Sequence, residues 1–400
     1  MWLEWTIATR FLREGRAQTA LIMIGVAVGV SVIVFLSALI NGLQDNIIER
    51  TLGTQAHIKV EAPDEVNRLL PPAGGAVQLV LEDKRPQRLR SINNWQQVRD
   101  TLDALPEVTA VSPLVSGPAF ARRGSTLESV ALMGIDEARY QKIIPIRNDI
   151  VAGHFRVGAG DAVIGSRLAR DLGLRVGDKL RLDAGRGGDS VVNVAGIFEL
   201  GVRELDSRYV YLDMKQAQSL LGLPGAATVI DVTVKDIFAA DAVARRIARL
   251  TGQKAESWMQ TNAQLMNALQ SQSLSTRMIS LFVAVSVAFG IASVLSVSVV
   301  QRTREIGILR AMGATRRQML RVFLLQGALF GLAGSMVGGS AGYGLVGVFN
   351  AFGPRLFLIP VSPLLLLGAT ILATVTGVIS AAIPARRAAR LDPVVATRHV

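Results

Sequence analysis

Apolar residues gather in long unbroken runs at both ends of this chain and in short alternating runs through its middle. Residues 17–40, 278–301 and 322–385 contain no Asp, Glu, Lys, Arg or His apart from Arg355. A bilayer core takes about 20 apolar residues per helix. The first two runs each supply one span and the third supplies two. The predicted spans are 20–40, 278–300, 322–348 and 362–383, with 349–361 as a short outer loop. Between the first two spans, residues 41–277 alternate β-rich and helical patterns. Strands are predicted at 56–61, 128–134, 179–183, 190–198, 208–212 and 229–235, and helices at 94–105, 166–173, 213–221 and 239–251. The fold class is a membrane α-helical protein with four transmembrane helices and a large α+β domain inserted between helices 1 and 2. Pro71-Pro72, Gly74-Gly75 and the charged residues that follow mark a loop or insertion near 63–92.

The segments beside the spans also carry a pattern. Residues 1–19 predict an amphipathic helix with Trp5, Ile7, Ala8, Phe11 and Leu12 on one side and Thr6, Thr9, Arg10 and Arg13 on the other. It either lies in the membrane interface or continues the first span. Helical spacing continues past the first span in GLQDNIIERTL, and before the second at Met259, Ala263, Met266 and Leu269. These segments either form a two-helix stalk or break at the interface. Gly25 and Gly29 share GxxxG spacing, and Gly327, Gly331, Gly334, Gly338 and Gly342 recur every three or four residues. Such small residues let helices approach closely in lipid, so helix packing is the first reading and a hinge or substrate path the second.

Composition fits a membrane protein: half the residues are apolar and 18% are charged. The net charge of +12 first points to nucleic acid, but its placement does not. Arg10, Arg13 and Arg16, then Arg302, Arg304, Arg310, Arg316, Arg317 and Arg321, then Arg386, Arg387, Arg390 and Arg398 lie beside the spans. Against them stand Glu4, Glu14, Glu305 and Asp392. Short basic loops are the positive-inside signature. They place both termini and residues 301–321 in the cytoplasm and residues 41–277 outside the inner membrane, and no nucleic-acid partner is expected. The first run is longer than a signal-peptide core and lacks a clean A-x-A site, which favours an uncleaved anchor.

Several chemistries lack their residues. None of the seven Lys follows a Gly, so no Walker A loop is present. His57, His154 and His399 are too scattered for a metal site, no G-x-S-x-G elbow occurs, and there is no Cys. Asp136, Asp161 and Asp206 read as turn or surface residues. The spans hold no acidic residue, which weighs against an ion-coupled secondary transporter. The expectation is a chain without catalytic, cofactor or metal residues of its own.

Residues 301–321, QRTREIGILRAMGATRRQMLR, exceed what a simple helix connection needs. Ile306, Ile308, Leu309 and Met312 are expected to form one apolar patch, with Gly313 turning the chain into a second basic helix. The element is either an interfacial helix on anionic lipid or a docking knob for a cytoplasmic partner.

The segment REIGILRAMGATRRQML at 304–320 resembles the coupling region of type VII ABC permeases, the group of the macrolide exporter MacB, the lipoprotein-releasing Lol permeases and the cell-division protein FtsX. PARRAARLDPVVAT at 384–397 is similar to the end of the same domain. GLQDNI at 42–47, DAVIGSRLARDLGLRVGDKLRL at 161–182 and VAGIFELGVRELDSRYVYLD at 194–213 resemble the family's periplasmic domain. The resemblance implies a homodimer or heterodimer of four-span subunits on cytoplasmic ATPases that hold the ATP and Mg. It implies that 304–320 transmits their motion to the outer domains, with Arg304, Glu305, Ile306, Gly307, Ile308, Leu309, Arg310, Met312 and Gly313 as coupling residues and residues 384–400 as a cytoplasmic tail. Unlike MacB, this chain has no fused ATPase. Its outer domain is much larger than that of FtsX.

GIFELGVRELDSR leans towards lipoprotein release. The loop 184–189 (AGRGGD) is short where the carrier-recruiting Lol permease has a longer, Pro-containing hook. A MacB-type exporter of drugs, peptides or lipids and a non-transporting regulator of a periplasmic enzyme are the alternatives.

Overall fold

A computed structural model describes residues 2–64, 89–185, 188–353 and 358–390. Most of the insertion near 63–92, Arg355, part of the 184–189 loop, and Asp392 and Arg398 of the tail lie outside them. The chain opens with α1 (Trp2–Glu14) and α2 (Arg16–Leu52), separated by Gly15. It divides into two compact units: residues 49–266, and residues 1–48 with 267–400.

The first of these carries the α+β architecture. Its elements are β1 (Ile58–Glu61), α3 (Trp95–Asp103), β2 (Val108–Arg123), β3 (Thr126–Ile135), α4 (Glu137–Tyr140), β4 (Ile150–Gly153), β5 (Asp161–Gly165), α5 (Ser166–Asp171) and β6 (Lys179–Asp183). There follow β7 (Asp189–Phe198), α6 (Arg203–Arg208), β8 (Tyr209–Asp213), α7 (Met214–Leu220), β9 (Val229–Val234), α8 (Ala240–Thr251), β10 (Lys254–Ser257) and α9 (Trp258–Thr261). One sheet runs β10-β1-β9-β2-β3-β8-β5-β7-β4. The β3–β8 and β5–β7 pairs are parallel. Strand β6 pairs with both β2 and β7, so β2-β3-β8-β5-β7-β6 close on themselves.

The period of two puts alternate residues of those strands inside the ring. Ala119 and Ala121, Val130 and Leu132, Ile164, Leu180 and Leu182, Val192 and Val194, and Val210 and Leu212 form one buried core. Strand β2 is missing from the expected elements because Pro113, Gly117 and Pro118 interrupt its pattern. Gly117 lies close under Leu221, whose side-chain tip stands 2.7 Å from where a Cβ would be. Strands β4, β5 and β10 are also additional to the expected ones.

The three aspartates expected at turns or on the surface all make structural contacts, and one of them, Asp206, is buried. Asp136 caps α4 by accepting from the Ala138 and Arg139 N–H groups. Asp161 pairs with Arg156 at 2.8 Å. Asp206 is buried, not on the surface, and accepts the N–H groups of Leu200 and Gly201 at 2.8 and 3.2 Å.

The second unit is helical. It adds α10 (Ala263–Gln301), α11 (Thr303–Ala311), α12 (Arg316–Phe352) and α13 (Pro363–Arg390). Helices α2, α10, α12 and α13 are each long and apolar enough to cross a membrane, by length and composition. Both α2 and α10 run unbroken past the predicted span limits. Their neighbours fix the direction of each helix. Gln18 meets Gln301 and Gln44 meets Ser273, so α2 and α10 are antiparallel. Gly334 faces Val26 and Gly342 faces Val34, so α2 and α12 are parallel. Gly327 faces Gly377 and Gly331 faces Ala373, so α12 and α13 are antiparallel. The four helices therefore alternate, and the described Arg residues of the N-terminal segment, of 301–321 and of 386–390 sit at one end of the bundle, whereas Arg277 stands at the other.

The glycine row does the packing expected of it, with two qualifications. It serves two partners: Gly327 and Gly331 lie on α13, whereas Gly334, Gly338 and Gly342 lie on α2. Gly29 packs on α10, where a Cβ would come within 2.7 Å of Val287. Gly25 packs on nothing: a Cβ there would have no neighbour within 4 Å, because it points away from all three partner helices.

Candidate coupling site

The basic end of the bundle is built around α11. Its first residue follows Arg302, and its last turn is closed by a Schellman arrangement. The Ala314 N–H donates to the Leu309 carbonyl at 3.0 Å and the Gly313 N–H to the Arg310 carbonyl at 3.1 Å. Gly313 has φ of +102°, a backbone region that L side chains rarely adopt. Two residues later a capping box starts α12. The Thr315 hydroxyl accepts from the Gln318 N–H at 3.3 Å, and the Gln318 side chain accepts from the Thr315 N–H at 2.8 Å. The second basic helix expected after Gly313 is thus the first turn of α12, continuous with the third apolar run. A capped stop, four linking residues and a capped start hold α11 in place.

The expected four-residue apolar patch is split between two faces. Ile306 is fully buried and Leu309 partly buried against Phe11, Val299, Met319, Phe323 and Ala385. Gly307 is also buried. Ile308 and Met312 are 45% and 79% exposed, and Ala311 between them is exposed. At 100° per residue, 308, 311 and 312 share a side of the helix with Arg304, and Glu305 flanks it. Arg304, Glu305, Arg316 and Arg317 are exposed around this small apolar face, while Arg310 is half-buried. The reason is periodicity: 306 and 309 point inward together, and 308 and 312 outward together. An acidic residue at 309 would disturb the bundle itself, and 308 and 312 are the positions available to a partner.

Helix α1 also belongs to this end. Its buried side is Glu4, Ala8 and Phe11, whereas Trp5 is 52% exposed, so the packed face is rotated from the expected apolar side. Glu4 pairs with Arg321 at 3.4 Å and Glu14 with Arg302 at 3.1 Å. A hydrogen bond from Arg10, reinforced by the charge of Arg302, holds the Glu14 carboxyl below its ordinary value. Sequence reading missed these pairs. The only local signal was two acids within an otherwise basic segment.

Among the described residues no cluster of three or more metal-ligating side chains occurs. Comparison with known proteins then decides the class. The family profile of the MacB-like periplasmic core domain matches residues 19–250, and that of the FtsX-like permease C-terminal domain matches residues 277–393. The chain belongs to the MacB/FtsX/Lol family of ABC-transporter permeases. A lipoprotein-releasing system transmembrane protein LolC of Xylella fastidiosa (strain 9a5c) is 25% identical over 99% of this chain and 99% of its own length. A macrolide export ATP-binding/permease protein MacB of Acinetobacter baylyi is 25% identical over 95% of this chain but only 57% of its own length. The crystallised periplasmic region of MacB from Actinobacillus actinomycetemcomitans aligns to 55% of this permease and 96% of itself, with 14% identity and a TM-score of 0.36.

Proposed function

We propose that this permease is the membrane subunit of a two-component ABC machine that releases lipoproteins from the inner membrane. A separate cytoplasmic ATPase docks on the exposed face of α11, with Ile308, Ala311 and Met312 in an apolar groove and Arg304, Glu305, Arg316 and Arg317 around its rim. The observation that carries this reading is that apolar face, exposed on a helix fixed at both ends. A lone flexible loop would absorb a partner's movement, whereas a capped helix passes it on. The positive-inside distribution supports a cytoplasmic position for this end and an outer one for residues 49–266. Two such subunits, identical or related, form the working dimer. The motion of the ATPases reaches the outer domains through α2 and α10.

Lipoprotein cargo is supported by the LolC relative, which this chain matches end to end. The MacB relative, matched over 95% of this chain, favours an exporter as the second reading. Burying an Ile or Met side chain stabilises a contact by about 1.5–3 kcal/mol. Ile308→Asp with Met312→Asp should therefore abolish ATPase copurification while the permease still inserts. Unchanged copurification and turnover would reduce α11 to a lipid anchor. Depletion of the permease should leave outer-membrane lipoproteins in the inner membrane. Normal sorting with raised macrolide sensitivity would favour the exporter.

A further inference from the structure

We propose that Arg302 is the positioning residue that joins the coupling helix to the first span, through the junction of α1 and α2. This rests on the docking role assigned to α11. Arg302 stands one residue before α11, and its side chain is only 12% exposed. Its Nη1 reaches Glu14 Oε2 at 3.1 Å, and its Nη2 donates to the Phe11 carbonyl at 3.0 Å. The guanidinium carbon lies 4.6 Å from the centre of the Phe11 ring. The preceding residue, Gln301, accepts from Gln18 of α2 at 2.9 Å. Four attachments from two adjacent residues therefore converge on the few residues where α1 becomes α2.

The chemistry of each attachment suits that place. The last carbonyls of a helix lack intrahelical donors, and a cation there also meets the negative end of the helix dipole. Phe11 has a weak backbone partner, the Gly15 N–H at 3.4 Å, so the guanidinium supplies the stronger one. Gly15 lies beside it: a Cβ there would stand in ordinary contact with Arg302 Nη2, at 3.4 Å. Only a planar fork serves the Glu14 carboxylate and the Phe11 carbonyl at once, and a lysine ammonium on the same stem reaches one of them. At the other end of α1, Glu4 is tied to Arg321 of α12. Clamped at both ends, α1 cannot swing aside when α11 moves. A displacement of α11 is handed to the first turn of α2.

The chain has no Cys, so the full permease with its ATPase partner can report this movement cleanly. Gln44→Cys and Ser273→Cys form a pair on α2 and α10 at the opposite end of the bundle, where the native side chains are 3.1 Å apart. ATP should change their oxidative cross-linking rate, and Arg302→Gln should flatten that response by about tenfold, the effect of losing charge-assisted hydrogen bonds. Glu14→Gln should give a smaller loss, and Arg302→Lys should recover part of the response. ATPase binding and ATP turnover should persist in all three variants. An intact ATP response in Arg302→Gln would overturn the proposal. So would loss of ATPase binding in that variant, which would make the residue merely structural. Retained ATPase binding in the Ile308→Asp, Met312→Asp variant would instead remove the docking assignment. The Arg302→Gln cross-linking result would still decide the joint.

Discussion

The helical unit and the α+β unit are held together by opposite uses of side-chain size. In the bundle, the closest approaches occur where side chains are missing, at Gly327, Gly331 and Gly377 between α12 and α13. Lipid tails are as apolar as Leu, so burying large side chains brings helices together weakly, and close backbone approach takes over. In the α+β unit, water supplies the drive, and the closed ring of strands is filled with Leu, Ile and Val. The bundle is therefore probed best by adding a side chain and the closed ring by removing or charging one, although Gly165 and Gly196 of the α+β unit also stand too close to backbone for a Cβ.

The sharpest way to break that contrast is to fill a bundle glycine. Gly331→Leu would drive a side chain into the Ala373 carbonyl and Thr374, where even a Cβ stands 2.5–2.7 Å away. Backbone cannot yield as a side-chain tip does, so the cost exceeds the usual overpacking range of about 1–3 kcal/mol. Monodisperse protein in detergent should be lost, whereas Gly25→Leu, which meets nothing, should behave like wild type. Equal yields for the two variants would remove the packing role of the glycine row.

A smaller effect is expected from the buried acid of the α+β unit. Asp231 on β9 lies opposite Ser112 and Lys59 in the sheet and is 3% exposed. Burial pushes its carboxyl up to about 7, with Lys59 opposing the rise and Glu61 adding to it. A folded value above the unfolded one means that the stabilising contribution is present below about pH 4 and is lost as pH rises through 7. Each tenfold gain in proton affinity on folding corresponds to about 1.4 kcal/mol. Asp231→Asn should flatten the calorimetric stability profile between pH 5 and 8 and exceed wild type at pH 8. An unchanged slope would show that Asp231 does not titrate in this range.

The smallest effect concerns Gly313, whose positive φ is required although a Cβ would touch nothing. Gly313→Ala should cost about 1 kcal/mol and weaken ATPase stimulation modestly, without affecting insertion. A loss as large as that of Gly331→Leu would mean that this turn packs against something.

The contrast also explains what was legible in the amino-acid order. Apolar run length alone located the four long helices, because a membrane imposes one length on every span. Strands β3, β7 and β9 were legible from their alternation and β-branched residues. Strand β2 was not, because Pro113, Gly117 and Pro118 look like breakers until Leu221 and β3 are beside them. Glycine spacing announced close packing but could not say that α12 divides its glycines between two neighbours, or that Gly25 has none. At the candidate coupling site, the motif at 304–320 was plain. Its faces were not: Ile306 and Leu309 are buried in part by α1 and α13, which are distant in the chain. The same holds for the long-range partners of Glu4 and Glu14, Arg321 and Arg302, which lie about 300 residues away.

The central claim is that α11 presents Ile308 and Met312, and not Ile306, to a separate ATPase. Single cysteines at 306 and 312, in this Cys-free chain, test it when the assembled complex is treated with a short bifunctional thiol cross-linker. Met312→Cys should join the permease to the ATPase in good yield, and Ile306→Cys should not. Cross-linking through position 306, or no ATPase adduct at position 312 in a complex that hydrolyses ATP, would contradict the account.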